Sequence, residues 1–153
     1  MKIDPVEEVY YRFRLALEHL DTAKRRFNAE DWPGVVESTQ LAVENLAKAI
    51  ISHFHLPSWT HDPSLELLEI SKNISPEIKL YINRLAEIVS DLAPEHGRTS
   101  YGIPSERLTP REIYNKSKAE NALRKASNAL KICIQVLSYL GYNLDKFKVN
   151  KVK

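Results

Sequence analysis

The chain of 153 residues has one cysteine, four glycines and no apolar run approaching the length of a membrane span, about 18 residues. A lone Cys133 excludes an internal disulfide and fits a reducing compartment. With so few glycines there is no Gly-rich loop to cradle phosphates, and there is no Cys pair and no Ser-His-Asp set in recognisable context. No segment alternates apolar and polar residues over a useful length, so no sheet is expected. A net charge of +2 is too small to argue for nucleic acid by itself. The N-terminal stretch MKIDPVEEVYYRF lacks the apolar core of a signal peptide, and a soluble, cytoplasmic protein is the expectation.

What the chain does have is proline at helix starts. Five of its eight prolines follow a residue able to cap: Asp4-Pro5, Asp31-Trp32-Pro33, Asp62-Pro63, Ser75-Pro76 and Thr109-Pro110. Proline lacks the N–H that a first turn leaves unpaired, and the preceding Asp, Ser or Thr accepts from the free N–H groups. Asp4 with Glu7 and Thr109 with Glu112 have capping-box spacing. The expected fold is all-α, an antiparallel up-and-down bundle of four long helices and one short one. It fills residues 1–141, followed by a lysine-rich tail over 142–153 that should fray.

The predicted helices run from Pro5 to Asn28, from Asp31 to Phe54, from Pro63 to Ser71 (the short one), from Pro76 to Leu92, and from Pro110 to Leu140. The second is central. Trp32, Val35, Ala42, Leu46 and Ala49 form one row, and Val36, Val43, Ala47, Ile50 and Phe54 a second beside it, a wide apolar face. Glu37, Glu44 and Lys48 mark its polar side, with Glu44 and Lys48 read as a surface pair. In the last helix Ala119, Ala122, Ala126 and Ala129 lead into Cys133, Val136 and Leu140, a seam that lets a neighbouring backbone come close. Ala93 to Leu108 holds two glycines and two prolines and reads as an irregular, mobile loop. Leu15, Leu17, Leu41, Ile51 and Ile132 fall off the main stripes, and a homodimer would cover them.

The text TQLAVENLAKAII from Thr39, then Thr60-His61-Asp62 and the short helix SLELLE, resembles the HEPN domain family (higher eukaryotes and prokaryotes nucleotide-binding). The pattern is carried by Gln40, Ala42, Glu44, Lys48 and Ala49, by His61 before Leu67 and Leu68, and by the segment from Arg98 to Tyr101. The resemblance implies a helical bundle that is frequently dimeric and often encoded beside a small nucleotidyltransferase. It also implies that a subset of relatives are metal-independent, toxin-like ribonucleases. Those pair an Arg with a His a few residues on, near the start of the last long helix. This chain has no histidine after Arg98, so Arg98, Arg107 and Arg111 have no such mate. Arg12 or Arg14 with His19 has comparable spacing but lies in the first helix.

Two roles follow as expectations. One is a non-catalytic binding module for a nucleotide or a nucleotidyltransferase partner, with Arg98, Tyr101, Glu44, Lys48 and His61 as binding residues. The alternative is a ribonuclease of toxin–antitoxin type, with His96 as general acid or base and Arg98 on a phosphate. No cofactor is expected. The histidines at 53, 55 and 61 with Asp62 are the densest donor set, but His53 and His55 diverge on a helix, and no metal site is assigned. Lys24, Arg25 and Arg26 could join Lys146, Lys148, Lys151 and Lys153 in a basic patch.

Overall fold

The computed structural model describes residues 4–147. The bundle is built from α1 (Pro5–Asn28), α2 (Trp32–Phe54), α3 (Ser64–Ser71), α4 (Pro76–Leu92), α5 (Glu95–Tyr101), α6 (Pro110–Ile113) and α7 (Lys116–Tyr139). Among the described residues, pairing between extended segments is limited to one bridge, Ile103 with Leu108. The capping logic holds. Asp4, Asp31 and Ser75 accept from the first-turn N–H groups of α1, α2 and α4, and Thr109 with Glu112 forms a capping box on α6. Asp62 accepts from the Ser64 N–H at the head of α3. Between α1 and α2, Glu30 takes a left-handed φ of 58°, and the Asp31 N–H returns to the Arg26 carbonyl, reversing the chain in three residues.

α2 packs against α1, α3, α4, α5 and α7 and is the axis of the molecule. Its two apolar rows are buried, from Val35 and Val36 to Ile50. Ile51, expected on a second surface, lies wholly in the core, and Leu17 and Ile132 are half-buried against it. The alanine seam of α7 is buried from Ala119 to Ala129, and Cys133 follows it with its thiol against the Leu46 carbonyl. Burial pushes the Cys133 thiol far up, which leaves it an inert filler.

Three expectations are corrected. Residues Ala93 to Leu108 are not an irregular loop: α4 turns through Pro94 directly into α5. Helix propensity in His-Gly-Arg-Thr is poor, but the Thr99 hydroxyl bonds the Glu95 carbonyl at 2.8 Å and tertiary contacts hold the turn. Gly102 then reverses the chain at φ 71°, where a Cβ would lie 1.9 Å from the Leu108 carbonyl oxygen. The last helix is also not continuous from Pro110. Tyr114 and Asn115 are extended, and Asn115 caps α7 by accepting from the Lys118 N–H at 2.9 Å. Asn115 is a cap signal that the proline pattern overshadowed.

The third correction concerns the tail. Residues 142–147 do not fray. Leu144 is buried, and the Phe147 ring packs 5.3 Å from that of Phe13 and 5.7 Å from that of Tyr10. The Lys146 ammonium sits 3.6 Å over the Tyr10 ring. Lys146 is therefore about 14 residues, or ~20 Å, along α1 from Lys24, and those two cations form no common patch. Lys148, Lys151 and Lys153 lie outside the described residues.

The Tyr142 hydroxyl meets His53 Nδ1 at 2.9 Å, and burial lowers the His53 pKa from 6.5. His19, half-buried on α1, is also lowered by burial, against opposing pull from Glu18 and Glu44. Both rings take a proton less readily folded than unfolded. Above pH 6.5 this makes no difference, and below it the unfolded chain binds the extra protons. Thermal melts taken from about pH 8 down to about pH 5 should therefore show Tm falling once pH drops through that value, and His53→Gln should flatten the fall.

Candidate functional site

The polar side of α2 is not a solvated surface. Gln40, Glu44 and Lys48 recur every four residues, so they stack along one face, and all three are buried. The Glu44 and Lys48 side chains are each only 8% exposed. The Glu44 carboxylate takes three donors: the Lys48 ammonium at 3.3 Å, the Gln40 amide at 3.2 Å and His61 Nδ1 at 2.9 Å. Gln40 in turn presents its Oε1 to His96 Nδ1 at 3.2 Å. The His61 and His96 rings stack, with centroids 3.6 Å apart and planes 19° from parallel.

These bonds share one direction. Each imidazole donates through Nδ1, and the donors lead towards Glu44, directly or through the Gln40 amide, which fixes both rings as Nδ1–H. The arrangement clamps the 55–63 loop and α5 together onto α2. A carboxylate saturated by an ammonium, an amide and an imidazole is not a free base, so Glu44 is the anchor of a latch.

α5 divides its side chains. At about 100° per residue, His96 and Thr99 face α2, while Arg98 and Tyr101 point nearly the opposite way. Arg98 reaches back only to Glu95, at 3.4 Å, and Glu95 also takes the Tyr114 hydroxyl. Burial, then that bond, raises the Tyr114 pKa far above its usual value. His96 and Arg98 thus do not converge within the protomer. Tyr101 is 78% exposed.

The remaining histidines go to separate partners, His53 to Tyr142 and His55 towards Glu66. On α1, Arg12 bonds Glu8 and Asn45, and Arg14 and His19 sit about 140° apart around the helix. Gln40, Glu95, Tyr114 and Trp59 were missed as site residues. Gln40 had a signal, its spacing of four from Glu44. Trp59 stands at 105% exposure, two residues before His61, a position where a tryptophan is costly to leave bare without a use.

The fold and the latch together define a class: an up-and-down helical bundle whose central helix carries a buried Gln–Glu–Lys ladder locked by two histidines, one from a loop and one from a short helix. The HEPN domain model matches residues 9–137, and the chain belongs to the HEPN domain family. TT1696 from Thermus thermophilus, known from its crystal structure, has a similar fold with a TM-score of 0.63 at 17% identity, covering 84% of this chain and 97% of that one. No curated protein matches the sequence. Among the described residues no helix is long and apolar enough to cross a membrane.

Proposed function

We propose that this HEPN protein is a non-catalytic binding module that takes a nucleotide or a short stretch of single-stranded RNA on the outer surface of the 55–63 loop and α5. The observation that carries this reading is the latch: Glu44, Lys48 and Gln40 hold loop and helix rigid from beneath, while Trp59, the outer edge of His61, Arg98 and Tyr101 remain open to solvent. Exposed aromatic faces beside a cation suit stacked bases with a phosphate between them, and a rigid platform lowers the ordering cost of binding. Glu44 and Lys48 serve as supports in this reading and do not touch ligand. Cleavage is disfavoured because His96 bonds Gln40 on the side of α5 turned away from Arg98, so the two do not meet within the protomer.

The test is a titration with ATP and with a short single-stranded oligoribonucleotide, following Trp59 fluorescence. The other tryptophan, Trp32, packs against Phe27 and provides the background. Saturable quenching is expected. Tyr101→Ala should weaken binding by about 5- to 100-fold, the range for losing one base stack. Arg98→Ala should lower the salt slope by about one. Absence of binding to both probes would sink the reading. So would RNA cleavage by the native protein that disappears in His96→Ala.

A further inference from the structure

A cleft of about 110 Å³ lies where α4 and α5 meet α7, and none of the latch residues lines it. Its floor is apolar: Val36 of α2, Leu92 of α4 and Ala122 of α7 are all buried. Its rim is polar. On α7, Lys118, Asn121 and Lys125 share the Ala122 face at helical spacing. Across the cleft stand Asp91 and Glu95, four residues apart where α4 turns into α5.

The acceptors on this rim are engaged and the donors are not. Glu95 accepts from the Tyr114 hydroxyl through one oxygen and from Arg98, at 3.4 Å, through the other. Asp91 is held by Lys125 at 3.3 Å. Lys118 gives one N–H to the Ile113 carbonyl at 2.8 Å, and among the described residues it makes no ion pair. Its other two N–H groups stay free. Arg124 donates to Asn121 Oδ1 at 2.7 Å, which sets the amide with its NH2 edge unspent. Lys118 and Asn121 are three residues apart, so their free donors lie side by side on α7.

We infer that this cleft binds a small aliphatic monocarboxylic acid, with the carboxylate between the Lys118 ammonium and the Asn121 amide and the chain on Val36, Leu92 and Ala122. Donors from two separate groups match the two oxygens of one carboxylate, and charge-assisted bonds of this kind are the strong ones. One uncompensated cation matches a single negative charge. A phosphate would bring no apolar body to the floor. A dicarboxylate would set its second anionic group against Asp91 or Glu95, and like charges brought together are costly. Each water-sized group needs about 10–15 Å³, so the space takes roughly eight non-hydrogen atoms, the size of hexanoate.

The test is a titration of the full chain at constant ionic strength with acetate, butyrate, hexanoate, octanoate, succinate and phosphate. Amide 15N–1H spectra give Kd for each, and the signals of Lys118 to Lys125 should move. Every methylene from acetate to hexanoate should tighten binding by up to about fourfold, and octanoate should gain nothing more. Succinate and phosphate should bind at least about tenfold more weakly than butyrate. Lys118→Met removes the cation, and Asn121→Asp replaces a donor edge with a carboxylate. Both positions are exposed, so the fold should tolerate either change, and each should weaken butyrate by about tenfold or more. No saturable shift with any of the acids overturns the inference. So does an affinity independent of chain length, phosphate or succinate binding as tightly as butyrate, or variants that bind butyrate like the native chain.

Discussion

Glu44→Ala should destabilise the bundle by about 3–5 kcal/mol, a third or more of a typical domain's total. The carboxylate is not an ornament on α2: it neutralises a Lys48 ammonium that is itself 8% exposed, and it accepts from Gln40 and His61. Removing it leaves a buried cation with no counter-charge and a buried amide without its acceptor, and each is expensive alone. Urea unfolding followed by far-UV circular dichroism gives the number. Lys48→Met added to Glu44→Leu removes the stranded charge as well, and a well-packed apolar pair costs far less than a half-broken ionic one, so the double variant should recover most of the loss. A Glu44→Ala cost below about 1 kcal/mol would instead match an exposed helix pair, and the latch would have no anchor.

The same residue shows where reading the sequence stops. The i,i+4 spacing of Glu44 and Lys48 is plain in the text, and so is that of Gln40 and Glu44. Spacing gives the face on which side chains lie, not what covers that face. The cover comes from His61 and His96, 35 residues apart and joined only through the fold, and no local pattern announces their stack. Helix starts, by contrast, were legible because a cap is a local event: Asp4, Asp31, Ser75 and Thr109 all cap as their spacing implies. α5 went unread for the opposite reason. Gly97 sits inside it with nothing close by, so propensity alone argues against a helix there, and the contacts of Glu95, His96 and Thr99 supply what the local sequence withholds. Within one protomer His96 lies on the opposite side of α5 from Arg98 and Tyr101, since residues two apart on a helix are about 200° around it, and that geometry is legible only once the stretch is known to be helical.

Residues 142–147 close the bundle at the end where α2 runs into the 55–63 loop, with Tyr142 on His53. Phe13 is the largest side chain of α1's inner row and is fully buried; its ring lies 5.3 Å from Phe147 at a 67° angle, an edge-to-face pair. Phe13→Ala should cost about 3–5 kcal/mol, from lost transfer energy and from a cavity the rigid helices cannot fill. Part of that cost belongs to residues 142–147, because Phe147 has Tyr10 and Phe13 as its aromatic floor. Phe147→Ala alone should therefore cost less than Phe13→Ala, and the two together less than their sum by about 0.5–1.5 kcal/mol, the usual worth of an aromatic pair. Urea midpoints at constant m-value measure all three. Additivity within about 0.3 kcal/mol would mean the two rings are not energetically coupled, and residues 142–147 would then be held by their other contacts alone.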